Sequence, residues 1–177
     1  MVDGCPVRVL FVCLGNICRS PTAEGVFRTN VARAGLATRI HVDSAGTGDW
    51  HIGRPPDSRA IAAARNRGYD LTGLRARQVR RSDFSRFDWI LAMDRANLTA
   101  LKALRPPAYA GHLGLFLDLA PESGIAEVPD PYCGGPPDFE RMLDLIERAS
   151  EALTRHLQGR LSLRADGVGR RRQSFGR

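Results

Sequence analysis

The chain has 177 residues, 43% hydrophobic and 25% charged, an ordinary balance for one globular domain with a substantial core. Its net charge of +7 invites a nucleic-acid reading, but six arginines after Gly159 face Asp166 alone, so +5 of that charge lies at the end and the body is near neutral. No apolar run reaches membrane-spanning length, residues 1–6 lack signal-peptide features, and the four cysteines and scattered histidines show no metal-ligand spacing; these features predict a cytoplasmic, metal-free protein with reduced thiols, without nucleic acid or membrane insertion.

Residues 7–12, Val-Arg-Val-Leu-Phe-Val, are rich in β-branched side chains and predict a buried parallel strand. Cys13-Leu14-Gly15-Asn16-Ile17-Cys18-Arg19-Ser20 follows, and Pro21 suits the first turn of a helix running to about Ala34, with Ser20 as its expected N-cap. The spacing Cys-x5-Arg then has a chemical meaning. A loop wrapped over a helix N-terminus turns several backbone N–H groups into one concavity, which suits an anion. Arg19 adds a planar guanidinium able to hold two phosphate oxygens. An unperturbed thiol, pKa about 8.5, is only a few per cent ionised at pH 7. The same N–H groups that attract phosphate favour a Cys13 thiolate, and Ser20 can donate a hydrogen bond to the sulfur.

Residues 39–46 alternate as a second strand ending in Ser44-Ala45-Gly46, and Trp50 falls in the loop beyond it. Asp57 is the expected N-cap of a helix from Ser58 to about Arg67, closed by Gly68. Residues 88–94 predict a third strand, with Asp94 at its C-terminal end, where it suits either a site-orienting role or an N-cap for the helix 95–104. Residues 112–116 predict a fourth strand, and Asp138 to about His156 a long final helix with Phe139, Met142, Leu143, Ile146, Ala149 and Leu153 at core spacing. Strands alternating with helices predict an α/β domain with a parallel sheet. Between strand four and the last helix, Pro129-Asp130-Pro131-Tyr132-Cys133 is a rigid loop, and its prolines fix the Asp130 carboxyl.

The run Val12-Cys13-Leu14-Gly15-Asn16-Ile17-Cys18-Arg19-Ser20-Pro21, with Asp130-Pro131-Tyr132, resembles the low-molecular-weight protein tyrosine phosphatases over residues 7–158. The resemblance implies a three-layer α/β/α fold, with a four-stranded parallel doubly wound sheet and the phosphate loop after the first strand. It implies a protein-tyrosine-phosphatase, a phosphoric monoester hydrolase without cofactor. In that reading Cys13 is the nucleophile, Arg19 and the backbone of Leu14, Gly15, Asn16, Ile17, Cys18 and Ser20 bind phosphate, and Asp130 is the general acid and base. Asn16, Ser20 and Ser44 support the loop, Trp50 and Tyr132 wall an aromatic slot, and Cys18 is a redox guard for Cys13. Many members carry a second tyrosine at Cys133, so this chain departs from the pattern at the rim. The implied substrate is a phosphotyrosine-containing protein, with a bacterial tyrosine kinase as one candidate partner.

Two other readings stand beside this one. An arsenate reductase on the same fold would need further cysteines, and none lies between Cys18 and Cys133. A phosphotyrosine-binding module without turnover would have no need of Asp130. Residues 159–177 are expected to form a basic, flexible tail, either solvated or in contact with an anionic partner.

Overall fold

The computed structural model of the chain describes residues 5–172. Four strands, β1 (Val7–Cys13), β2 (Ile40–Gly46), β3 (Trp89–Ala92) and β4 (His112–Leu115), pair in the order β2-β1-β3-β4, all parallel. Helices α1 (Arg19–Arg33), α2 (Ser58–Asn66), α3 (Arg95–Leu104) and α4 (Pro136–Arg172) cover the sheet, with short 3-10 turns at Arg81–Ser85, Phe116–Leu119 and Pro121–Ser123. The expected three-layer α/β/α architecture is the observed one. Because β1 has neighbours on both sides, its C-terminal end lies where the connections diverge, the place at which open parallel sheets leave a ligand crevice.

Period-two alternation along β1 divides the core between the two faces. Val9 and Phe11 join α1, α2 and α4, whereas Leu10 and Val12 join Phe84, Ile90 and Leu101 beneath α3. Phe11 meets Phe27 and Phe116 edge-on, at ring-centroid distances of 5.6 and 4.9 Å. All three rings are fully buried. Phe116→Ala is therefore expected to cost about 3–5 kcal/mol, through lost transfer energy and the cavity left behind. Urea unfolding followed by fluorescence would measure it; a loss below about 1 kcal/mol would show that this site collapses freely.

Two expectations need correction. Ser20 is not the N-cap: α1 begins at Arg19, Cys18 occupies the cap position without a side-chain bond, and Ser20 lies inside the first turn. The final helix does not stop near His156, and the boundary expected at 158 falls within it, because α4 runs on to Arg172. Leu157 and Leu161 continue the buried stripe, so burial carries the helix past the point where basic composition suggested a tail. Residues 173–177 of the expected tail lie outside the described residues. Asp57 does cap α2, accepting the Arg59 N–H at 2.8 Å, and Gly68 closes that helix with φ +84°.

Candidate active site

β1 delivers Cys13 to the end of the sheet, and α1 starts six residues later. The loop between them turns on Asn16, whose φ of +55° is the left-handed conformation that asparagine tolerates better than most residues. Asn16 also locks the loop from within. Its Oδ1 accepts the Arg77 N–H at 2.9 Å, which fixes the amide orientation. Its Nδ2 then donates to both Ser20 Oγ and Ser44 Oγ, each at 2.9 Å. Both hydroxyls, used as acceptors by Asn16, keep their protons for other partners. Ser44 donates to Glu24 Oε2 at 2.6 Å. Ser20 has Cys13 Sγ at 3.0 Å and the Ala45 carbonyl at 3.2 Å. A thiolate at Cys13 attracts that proton and a neutral sulfur releases it to Ala45, so Ser20 can follow the charge on the sulfur.

The Asn16 N–H points at Cys13 Sγ, 3.3 Å away. Among the described residues, the backbone N–H groups of Leu14, Gly15, Ile17 and Cys18 have no protein acceptor. Arg19 and Ser20 add N–H groups from the first turn of α1. These are the open donors that the expected anion nest would use, whereas the Asn16 N–H serves the sulfur. Gly46, beside the loop on β2, leaves no room for a side chain: a Cβ there would lie 2.7 Å from the Leu14 carbonyl oxygen.

Arg19 lies beneath this nest with its side chain 4% exposed. Its Nη1 donates to Asp94 Oδ2 at 2.5 Å and to the Val128 carbonyl at 3.2 Å, and its Nη2 donates to Asp130 Oδ2 at 2.6 Å. Negative neighbours outweigh burial and hold the guanidinium above its ordinary range. Asp94 fills both roles open to it in the sequence, since its other oxygen caps α3 by accepting the Asn97 N–H at 2.7 Å. Asp130 also accepts the Tyr132 N–H at 3.2 Å, which orients its carboxylate from its own loop.

Cys13, Cys18, Arg19 and Asp130 line one cavity of about 280 Å³, with Trp50 and Tyr132 on its walls. Trp50 is 61% exposed and Tyr132 51%, large aromatic surfaces turned outward at a cleft mouth. Trp50 lies against Gly48, where a Cβ would be 2.3 Å from the indole. Arg59 secures the opposite wall, donating to the carbonyls of Tyr132 and Gly134 while paired with Asp57. Cys133 is exposed outside this cavity.

The two loop cysteines differ in environment. Burial, with Asp57 next, pushes the Cys18 thiol up to about 12, so at pH 7 it is almost wholly protonated. Cys13 alone receives an N–H and a hydroxyl at its sulfur. Iodoacetamide at pH 7 is therefore expected to modify Cys13 well before Cys18, as read by peptide mapping; equal rates would erase the distinction.

Sequence reasoning missed three participants. His51 lines the cavity and packs against Gly15, where a Cβ would lie 2.9 Å from its ring. Glu24 is buried as the anchor for Ser44 and pairs with Arg28. Burial pushes its carboxyl above the ordinary range. Arg77 closes the supporting layer by bonding Asp43 and Asp83. Apart from Glu24–Arg28, one helical turn apart, and Arg77–Asp83, six residues apart, these contacts join residues 20 to 61 positions apart, beyond the reach of local sequence signals. Among the described residues, no group of acidic, histidine or cysteine side chains could hold a metal ion, and no helix is long and apolar enough to cross a membrane.

Comparison with known proteins bears on this geometry. Residues 8–163 match the family described as low molecular weight phosphotyrosine protein phosphatase. The chain is 43% identical over 152 residues to the low molecular weight protein-tyrosine-phosphatase YfkJ of Bacillus subtilis, covering 86% of this chain and 96% of that one. The YfkJ crystal structure superposes with a TM-score of 0.84, covering 90% and 99% of the two chains. A protein tyrosine phosphatase from Entamoeba histolytica, solved with Hepes in its active site, gives a TM-score of 0.83 at 40% identity, covering 86% and 97%. A Drosophila arginine phosphatase gives 0.79 at 31% identity, covering 84% and 96%.

Proposed function

Because the chain belongs to the low-molecular-weight phosphotyrosine protein phosphatases, we propose that it hydrolyses protein phosphotyrosine at the Cys13 cavity through a phosphocysteine intermediate. One observation carries this reading: the sulfur of Cys13, the Arg19 guanidinium and the Asp130 carboxylate converge on one small cavity beneath a nest of open N–H groups.

The phosphoryl group sits in the nest and displaces Asp94 and Asp130 from part of Arg19. Cys13 Sγ attacks phosphorus in line with the ester oxygen, the S–P bond forms and the O–P bond breaks. Asp130, as general acid, gives a proton to the leaving phenolate. The same carboxylate, now a base, takes a proton from water as that water attacks phosphorus, and Cys13 leaves as a thiolate held by Ser20 and the Asn16 N–H. Arg19 and the loop amides carry the charge on the equatorial oxygens. Trp50 and Tyr132 flank a phenyl ring, and the depth of the slot favours phosphotyrosine over phosphoserine. The domain on this reading ends within α4, beyond Leu161. A reducing compartment such as the cytoplasm suits its free thiols, and a tyrosine kinase bearing phosphotyrosine is a substrate of the right chemistry.

The test is phosphate release from matched phosphotyrosine, phosphoserine and phosphoarginine peptides in EDTA and reductant. Release from phosphotyrosine alone supports the reading. Faster release from phosphoarginine would assign the substrate class of the Drosophila relative, and no release at all would leave a binding module.

Cys18 is assigned to guard the nucleophile. Peroxide converts Cys13 to a sulfenic acid, and the Cys18 thiol then condenses with it to give a disulfide and water. Its high pKa makes this step slow at neutral pH and faster as pH rises. Mass spectrometry after mild peroxide is expected to find the Cys13–Cys18 bond; sulfinic acid at Cys13 in its place would remove the role.

A further inference from the structure

The catalytic cavity occupies the C-terminal ends of the strands. A second cavity, of about 720 Å³, lies at their N-terminal ends. With β1 running seven residues from Val7 to Cys13, the two sites stand about 20 Å apart along the strand. The second cavity is large enough for a small organic molecule, for which about 300–1,000 Å³ is usual. One of its walls comes from Leu157, Arg160 and Leu161, so it exists because α4 continues past the expected domain end.

Its charge is predominantly positive. Arg8, Arg86 and Arg160 line it, and among the described residues none of these guanidiniums pairs with a carboxylate. The one lining carboxylate, Asp88, is occupied at Oδ2 by the backbone N–H of Arg8 at 2.8 Å. Aromatic rings hold two of the arginines by their faces: Arg160 lies 6.0 Å from the Trp89 ring centroid and Arg86 lies 5.8 Å from that of Phe87. Such stacking leaves the N–H edges of a guanidinium free to donate. His112 lies over Trp89 at 4.4 Å between centroids and offers a second flat surface at the cavity. Burial first, then His156 and Arg160, push the imidazole below its ordinary value against the pull of Asp118, in keeping with an excess of positive charge.

We propose that this cavity is a second binding site, taking a small organic phosphate whose phosphoryl groups meet Arg8, Arg86 and Arg160 and whose flat ring lies on His112. Three unpaired guanidiniums around a concave site supply bidentate phosphate recognition, and the apolar and aromatic walls supply area for a ring.

The chain has two tryptophans, Trp50 at the catalytic cavity and Trp89 beneath the second one, and this separates the sites experimentally. Trp50→Phe leaves Trp89 as the sole indole reporter. Titration of that variant with ATP is expected to give a saturable change in Trp89 emission, and adenosine none. Adding Arg86→Ala and Arg160→Ala is expected to weaken ATP binding at least tenfold. Absence of a Trp89 response, an equal response to adenosine, or an affinity unchanged by the arginine substitutions would each overturn the proposal. Both arginines are exposed, and in the otherwise unaltered chain the double substitution is expected to leave kcat/KM on a phosphotyrosine peptide unchanged. A parallel loss of activity would trace the effect to the fold and overturn the proposal as well.

Discussion

Cys13→Ser is expected to abolish phosphate release while leaving phosphate binding nearly intact. The two effects separate because different groups carry them. On the proposed reading, binding rests on the loop amides and on Arg19, none of which the substitution touches. On the proposed mechanism, turnover rests on the sulfur, the nucleophile in the first step and the leaving group in the second. A serine hydroxyl keeps its proton at pH 7, and the groups that contact this position, the Ser20 hydroxyl and the Asn16 N–H, are not bases. The rate is expected to fall on the order of 10⁴-fold or more, as when the nucleophile is removed from other covalent enzymes. Single-turnover phosphate release and calorimetric titration with inorganic phosphate measure the two sides. Residual turnover within a hundredfold of the parent would remove Cys13 as the nucleophile, and loss of phosphate binding would show that the loop had collapsed.

Asp130→Asn is expected to lower kcat by about 10²–10³-fold, the usual contribution of a positioned general acid. The signature is the dependence on leaving group. A phenol that leaves readily as its anion needs little proton donation, so the loss on 4-nitrophenyl phosphate is expected to be smaller than on phenyl phosphate or phosphotyrosine peptide. The ion pair adds a second expectation of definite sign. Asp130 holds Arg19 at 2.6 Å and competes with phosphate for that guanidinium. Its neutral replacement competes less, so inorganic phosphate is expected to bind the variant at least as tightly as the parent. Equal losses across all leaving groups, with weaker phosphate binding, would make Asp130 a positioning residue for Arg19 and leave the proton donor to be found elsewhere.

The local chain decided much of this protein. β-branched residues before Cys13, Pro21 just after the loop, Asp57 before α2 and the period of α4 each act within a few residues, so propensity, capping and periodicity placed the elements before any contact was known. Cys-x5-Arg brought Cys13 and Arg19 to one cavity for the same reason: six residues are too few to separate them. Tertiary structure decided what those residues touch. That Asn16 spends its whole amide on Arg77, Ser20 and Ser44, that buried Glu24 anchors the chain of bonds, that Asp94 and Asp130 share Arg19, and that His51 packs on Gly15 all depend on segments brought together by the β2-β1-β3-β4 sheet order. The length of α4 belongs there too. Composition marked the residues after Gly159 as polar tail, but a helix ends where its buried stripe and hydrogen bonds end, and Leu157 and Leu161 still find a core to cover.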